Sequence, residues 1–259
     1  MKEKNQPKIS IITVVYNNVS MIEETILSIV NQHYTNIEYI IIDGGSTDGT
    51  IDIINKYSDK INYWVSEHDD GIYNAMNKGI DKASGEWINF MNSGDSFYDT
   101  TVIQNVFEQY DNKSNIIYGD SQRFFHCGVY IDRDRFSTLA YMPNCHQAFF
   151  VKTDILKNNY FDTNYKICAD AKFFYDAFNN GSKLQHIPVI VCNYNNKEGI
   201  TSMNINLQVR EIAKIENKQN KLKWKISFMF YLLKTHIQKI IPADLLAEYH
   251  KKKMDKYFS

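Results

Sequence analysis

The sequence predicts an α/β protein built on a doubly wound, mostly parallel sheet, with a helical extension at its C-terminal end. Three observations carry that expectation. Residues 9–15 (ISIITVV) form a near-continuous apolar, β-branched run, strand-like and helix-like segments then alternate up to residue 91, and a polar cluster closes each strand.

The first run reads as a strand buried on both faces, the pattern of a parallel sheet. Ser20 and Glu23 have the spacing of a capping box, and Ile22, Ile26, Ile29 and Val30 recur at helical spacing, so a helix is expected up to Gln32. A strand over 37–42 (IEYIII), a helix over about 50–57, a strand over 61–66 (INYWVS), a helix over about 72–82 and a strand over 86–91 (EWINFM) follow. Strands separated by such helices pack with right-handed crossovers, and the binding crevice of the resulting sheet lies at the carboxyl ends of the strands. The polar clusters fall there: Tyr16-Asn17-Asn18, Asp43 to Gly49, Glu67 to Gly71, and Asn92-Ser93-Gly94-Asp95.

Past residue 115 the expected strands cover 115–119, 122–131, 145–151 and 183–194, with helices over 153–159 and 170–180. This half completes the sheet and builds the second wall of the cleft. No repeat, Pro-rich linker or low-complexity stretch divides the chain before about residue 205. From 205 to 259 the reading is helical, with Ile226, Met229, Phe230, Leu233, Ile237, Ile240 and Ile241 on one stripe and Lys223, Lys225, Lys234 and Lys239 beside it.

Composition narrows the classes. With 259 residues, 44% hydrophobic and 23% charged, the chain can hold one large domain, or one domain plus an appendage, and is neither collagen-like, disulfide-scaffolded nor mostly disordered. The net charge of −1 conceals an asymmetry: residues 1–213 carry 18 basic and 26 acidic side chains, a net −8, whereas residues 214–259 carry 11 and 4, a net +7. Cys127, Cys145, Cys168 and Cys192 are widely spaced, without a Cys-x-x-Cys, so neither a zinc site nor a disulfide framework is expected and a reducing compartment fits. The polar N-terminus has no apolar signal region, and no apolar run approaches the ~20 residues that span a bilayer. Nucleic acid is not an expected partner.

Three acids stand where chemistry is expected. Asp43 ends a strand before two glycines, which suits a carboxylate offered to a base or ribose hydroxyl, or equally a turn followed by a helix cap from Thr47 or Asp48. Asp95, after a buried strand and small neighbours, suits either an Asx turn or a divalent cation that also holds phosphate oxygens. Asp170, at the start of an aromatic-rich helix, is a cap or a general base for a hydroxyl proton. His146 and Gln147 are candidates for hydrogen bonds to a ligand. Phosphate-loop, Gly-x-Ser-x-Gly, His-Glu-x-x-His and Gly-x-Gly-x-x-Gly motifs are absent, which argues against P-loop hydrolysis, serine hydrolysis, zinc proteolysis and dinucleotide redox chemistry.

Taken in order, segments 11–17 (IITVVYN), 42–50 (IDGGSTDGT), 71–80 (GIYNAMNKGI) and 85–95 (GEWINFMNSGD) resemble the family-2 inverting glycosyltransferases of the GT-A fold, whose nucleotide-binding half is Rossmann-like. The resemblance covers roughly residues 8–202. It implies a GT-A domain over 1–204, with a nucleotide-sugar half at 8–97 and an acceptor half at 98–204, followed by the basic extension 205–259. By the same resemblance Thr13, Val14, Tyr16, Asp43 and Ser46 meet the nucleoside, and Asn77, Lys78, Asn92, Ser93 and Gly94 lie near the diphosphate or donor sugar. Asp95 holds Mn2+ or Mg2+, His146 and Gln147 face the acceptor, and Asp170 is the base.

Departures from the family pattern are Asn92 and Gly94 in place of acids, Met76 in place of Arg, and Ala169 in place of the Glu before the base. No Gln-x-x-Arg-Trp of processive polymerising relatives occurs, so transfer of a single sugar is expected. The implied function is transfer from a nucleotide-diphosphate sugar, with UDP-sugar favoured, to a glycan or lipid-linked acceptor in bacterial surface-polysaccharide synthesis such as O-antigen or capsule. Competing readings are a nucleotidyltransferase acting on sugar phosphates and a non-catalytic nucleotide-sugar binder. The expected location is cytoplasmic, with residues 214–259 either on the anionic inner leaflet of the membrane or packed on the chain itself or a dimer partner.

Overall fold

The computed structural model describes residues 6–133, 142, 144–195, 204–238 and 243–258. Strand β1 (Ile9–Val15) is buried along its whole length, with Ile9, Ile11 and Ile12 fully enclosed. It is central because both of its edges are taken: it pairs in parallel with β2 (Ile37–Asp43) and with β4 (Trp87–Phe90), and β2 pairs in parallel with β3 (Tyr63–Ser66). Helices α1 (Ile22–Val30), α2 (Thr50–Lys56) and α3 (Ile72–Lys82) make the crossovers. Each buried Ile contributes about 1.5–3 kcal/mol.

Beyond β4 the sheet changes character. Its order is β3-β2-β1-β4 followed by β8 (Phe149–Lys152), β6 (Ile116–Phe125), β9 (Leu184–Asn195) and β5 (Ser96–Phe97), with β7 (Gly128–Asp132) paired to β6. Strand β8 is antiparallel to β4 and to β6, while β9 is parallel to β6 and antiparallel to β5. The second half thus completes the sheet, with antiparallel pairings added to the parallel ones. Two elements had no counterpart in the sequence reading, β5 and α4 (Val102–Glu108), because a two-residue strand and a two-turn helix are too short to show a period.

Several expectations are corrected. The Ser20–Glu23 capping box does not form: helix α1 starts after Met21 without a side-chain cap. Its entry is held instead by the first residue of α2 and the loop before it: Asp48 Oδ2 accepts the Val19 N–H (2.9 Å) and Thr50 Oγ1 the Asn18 N–H (2.9 Å), while Glu23 turns away to Lys56 and Tyr57. The break expected between strands 115–119 and 122–131 is a β-bulge inside β6. There Gly119 lets β9 approach so closely that a Cβ would lie 2.5 Å from Val189 O. The chain then turns at His126 and Cys127 into β7. Residues 146–148 form a 3-10 turn ahead of β8, and α5 (Thr153–Asn158) and α6 (Ala169–Asn179) follow.

The helical reading of the C-terminal segment resolves into α7 (Ile205–Ile215), α8 (Leu222–Gln238) and α9 (Ala243–Phe258). Helix α7 buries Glu211, Ala213 and Ile215 against the body of the protein, and the Arg210 guanidinium lies over the Phe228 ring of α8 at 5.3 Å. In α9, Asp255 accepts from the Tyr130 hydroxyl of β7 (2.8 Å). Lys239, Ile240 and Ile241 of the expected stripe lie outside the described residues. No helix among the described residues is long and apolar enough to cross a membrane.

Candidate active site

The four parallel strands end in one polar crevice. At the end of β1, Tyr16 is 65% exposed at the rim, and Asn17 adopts a positive φ of 47° that turns the chain toward β2. There the Asn17 N–H donates to Ser46 Oγ (2.7 Å), and Asn17 Oδ1 accepts the Thr47 N–H (2.8 Å).

Asp43 is fully buried and does not reach the crevice surface. Its carboxylate accepts the backbone N–H groups of Gly45 (3.0 Å) and Ser46 (2.9 Å), the Ser66 hydroxyl (2.6 Å) and the Ser46 hydroxyl. Three of these donors meet Oδ2 and the Ser46 hydroxyl meets Oδ1, so the enclosed Asp43 carboxylate is spent on shaping the loop that follows it. Thr13 is also internal, with Oγ1 donating to Met91 O (2.8 Å) and lying 3.2 Å from the Tyr39 hydroxyl, and Val14 is buried beside it.

Asn77 and Lys78 part company. Asn77 is spent on the Phe161 backbone, donating to its carbonyl (2.9 Å) and accepting its N–H (3.0 Å). The Lys78 ammonium reaches the loop that ends β3, pairing with Glu67 (2.8 Å) and donating to His68 O (3.1 Å).

At the end of β4, Gly94 takes a φ of +99°, a region that penalises any side chain. Thr25 fixes this turn by accepting the Gly94 N–H (3.0 Å) and donating to Asp95 O (2.7 Å), while Ser93 Oγ accepts from Asn18 Nδ2 (2.9 Å). The Asp95 carboxylate accepts the Asn195 N–H (2.9 Å) and Gln147 Nε2 (2.5 Å). Burial pushes its pKa up to about 7, against the opposing pull of the Asn195 N–H and of His146.

Gln147 and His146 belong to the 3-10 turn, which is pinned at both ends. Asn144 Nδ2 donates to Gly119 O (2.9 Å) while Asn144 Oδ1 accepts from Ser121 (2.6 Å), and Asn89 Nδ2 donates to the carbonyls of Gln147 (2.8 Å) and Phe149 (2.8 Å). His146 Nδ1 lies 2.9 Å from Asp170 Oδ2, and His146 Nε2 lies 3.0 Å from Asn92 Nδ2. The other Asp170 oxygen accepts from the Tyr73 hydroxyl (2.8 Å) and from the Ala171 N–H (2.8 Å). Burial alone lifts Asp170 and depresses His146, but their hydrogen bond and opposite charges outweigh it. Asp170 ends below the usual carboxylate range and His146 above the usual imidazole value. Inverting the Asn92 amide presents its oxygen, which has no donor in the structure, to a protonated Nε2, so the site accommodates either state of the ring.

Two acids 75 residues apart in sequence are therefore joined in one network, Asp95–Gln147 and His146–Asp170, across adjacent residues of a single turn. The family model for glycosyl transferase family 2 matches residues 10–179, which contain all of it. The chain belongs to glycosyl transferase family 2.

This family 2 chain is 31% identical over 207 residues to a PGL/p-HBAD biosynthesis glycosyltransferase of Mycobacterium bovis, covering 76% of this chain and 80% of that protein. It is also 45% identical over 94 residues to a glycosyltransferase of Haemophilus influenzae, covering 35% and 38% of the two chains. Among solved structures, S. aureus TarS 1-349 in complex with UDP-GlcNAc superposes with a TM-score of 0.67 at 21% identity, over 80% of this chain and 66% of that one. The mannosyltransferase PcManGT of Pyrobaculum calidifontis, in complex with GDP-Man and Mn2+, gives 0.65 at 17%, over 82% and 64%. The chain thus spans about two thirds of the length of these structures, and the fold it shares with them is GT-A.

Whether the family 2 site suits a divalent cation turns on Asp95. Among the described residues no three His, Cys, Asp or Glu side chains form a metal-binding group. Two protein donors leave part of the Asp95 carboxylate free, and the neighbouring amide oxygens of Asn92 and Gln147 are buried without any donor. A lone carboxylate amid unpaired oxygens fits a hard cation that draws its remaining ligands from phosphate or water.

Tyr73, Asn89, Asn144 and Asn195 were not singled out from sequence. A phenol on the buried face of α3 with Met76 and Ile80, and an amide inside the apolar run of β4, were the available signals for the first two. Asn195 acts through its backbone, so no side-chain signal exists. The cysteines form no disulfide among the described residues, and Cys145 and Cys192 lie with sulfurs 3.7 Å apart behind the turn.

Proposed function

We propose that the chain transfers one sugar, of hexosyl or N-acetylhexosaminyl type, from a nucleotide-diphosphate sugar to a hydroxyl of a glycan or lipid-linked oligosaccharide, with inversion. The observation that carries this reading is the single turn that joins Asp170 to Asp95. It sets a base and a leaving-group site at one crevice, the arrangement a single displacement needs.

The acceptor hydroxyl gives its proton to Asp170, oriented by Tyr73 and His146, as its oxygen bonds to the anomeric carbon. The bond from that carbon to the diphosphate oxygen breaks on the opposite face, and the oxygen keeps the electron pair. Asp95 is the residue that would hold Mn2+ or Mg2+, and such an ion neutralises the departing diphosphate. Tyr16 stacks on the base, and the Asp43-ordered loop with Ser46 frames the ribose. Asp43 serves through the backbone it holds, because its own oxygens are occupied. Lys78 is the cation nearest the donor phosphates in this reading, and Asn92, Ser93 and Gly94 form the floor under them.

The donor class is tested by calorimetric titration with UDP, GDP and dTDP, with and without manganese. UDP, the nucleotide held by TarS, is expected to bind at least about tenfold tighter in the presence of manganese than in its absence. Binding of none of them removes the reading. UDP binding without any turnover of UDP-sugars in the presence of acceptor glycans leaves a binding protein.

The acceptor belongs to a surface polysaccharide such as O-antigen or capsule and is held on a lipid, which fits the exposed face of α8. Leu222, Ile226, Met229 and Phe230 recur at helical spacing and are 72%, 44%, 61% and 62% exposed, flanked by exposed Lys221, Lys223 and Lys225. An apolar stripe bordered by lysines suits the anionic inner leaflet, where each basic residue contributes about 1 kcal/mol. The full chain is expected to co-sediment with phosphatidylglycerol vesicles at low salt, and Phe230→Glu to abolish it. Equal recovery with neutral vesicles removes the role of the lysines, and no recovery with anionic ones removes the membrane role.

A further inference from the structure

The family match ends at residue 179, and the position before the base is Ala169. The Asp170 side chain is held from within the matched region by Tyr73, His146 and the Ala171 N–H, but the backbone that leads into its helix is not. In this structure a buried carboxylate from outside the matched region holds that backbone: Glu211, on α7, is 8% exposed. It accepts the backbone N–H groups of Lys166 (2.7 Å), Ile167 (3.1 Å) and Cys168 (3.0 Å). These are the three residues that lead into α6, whose second residue is Asp170 and whose N-cap, Cys168, supplies no side-chain cap.

Three consecutive N–H groups on one carboxylate fix the direction of the segment and the rotation with which the helix begins. The rotation of α6 decides where Asp170 points. Two further contacts clamp α7 to the same segment, the Lys214 ammonium over the Tyr165 ring at 4.4 Å and Cys168 Sγ on Gln208 O at 3.9 Å. These hydrogen bonds of Glu211 all go to backbone N–H groups, so it acts through the main chain that carries Asp170.

We propose that Glu211 is a positioning residue for the reaction. The C-terminal extension thus completes the active site from outside the family domain, by anchoring the loop that sets Asp170 against His146 and Tyr73. The inference rests on the reading of Asp170 as the base. Because misplacing a catalytic group by about 1 Å costs up to about 100-fold in rate, the effect belongs in kcat and not in donor binding, whose residues lie on other strands.

The test uses the full chain with UDP-sugar and acceptor, comparing Glu211→Ala, Glu211→Gln and Asp170→Asn with the wild type. Glu211→Ala is expected to lower kcat about 30-fold with the donor KM within about twofold, and Glu211→Gln, which keeps one acceptor oxygen, to recover to about a third of the wild-type rate. Amide exchange at residues 166–168 should accelerate in Glu211→Ala while UDP affinity holds. If Glu211→Ala does not fold, Glu211→Gln decides, with kcat reduced at unchanged KM supporting the proposal. A wild-type kcat in the folded variant, or loss of donor affinity in step with kcat, overturns it. Asp170→Asn separates two failures: undiminished turnover there sinks the reading of the base, whereas its loss beside a fully active Glu211→Ala sinks the role of Glu211 alone.

Discussion

Asp170→Asn is expected to reduce kcat about 1,000-fold while leaving UDP affinity within about twofold. The substitution keeps size and removes only the basic oxygen, and the Tyr73 hydroxyl and Ala171 N–H can still donate to the remaining amide oxygen. His146 Nδ1 loses its charged partner. The pH profile of the wild type gives a second reading of the same group. Asp170 and His146 share one dissociable proton as a buried pair, with the carboxylate held down and the imidazole, ordinarily 6.5, held up by their mutual attraction. Only the deprotonated pair can take a proton from the acceptor. The sign follows: kcat is low where the pair is protonated, rises with pH, and has its acid limb above 6.5. Initial rates from about pH 5 to 9 measure this, and a limb in the ordinary carboxylate range would show that His146 does not share the proton.

Asp95→Asn carries the second large effect. Its geometry is forgiving: an amide oxygen can still accept the Asn195 N–H, and Gln147 can turn its amide so that its unpaired oxygen faces the new NH2 group. Fold and thermal midpoint should therefore stay close to wild type, while the charge that attracts the cation is gone. The manganese-dependent tightening of UDP, at least about tenfold in the wild type, is expected to be lost, with manganese-free binding unchanged, as suits a cation that neutralises charge at the diphosphate. An unchanged response to manganese in calorimetry would place the ion elsewhere or dispense with it.

The parallel half of the sheet was legible because its signals are local. Buried parallel strands are apolar along their length, crossover helices repeat at 3.6 residues, and the chain must expose its polar residues where strands end. Local signals mislead where tertiary partners replace local ones. The Ser20 capping box does not form because the Asn18 carbonyl takes the Met21 and Ile22 N–H groups and Glu23, the other half of the box, is held by Lys56 and Tyr57 of the next unit. The break read at Asp120 and Ser121 is a bulge because Asp120 pairs with His186 (2.8 Å) and Ser121 with Asn144, neither visible from neighbours in sequence.

The sequence by itself determined which residue types stand at the strand ends, since hydrophobic period and chain reversal are properties of short segments. It also singled out Asp95, His146, Gln147 and Asp170 as candidates for chemistry. Only the tertiary structure decided which of them touch, and whether each polar atom is free or already engaged. Thr13, Asp43 and Asn77 carry the right chemistry for a ligand, yet their polar atoms are taken up by Met91, Ser46 and Phe161. The physical reason is that a buried polar group must find a partner wherever the packing puts one. The partners of Asp170 come from residues 73, 146 and 171, and its supporting loop from residue 211. No local pattern encodes such distances, because it is the packing of elements, not the spacing of residues, that closes them.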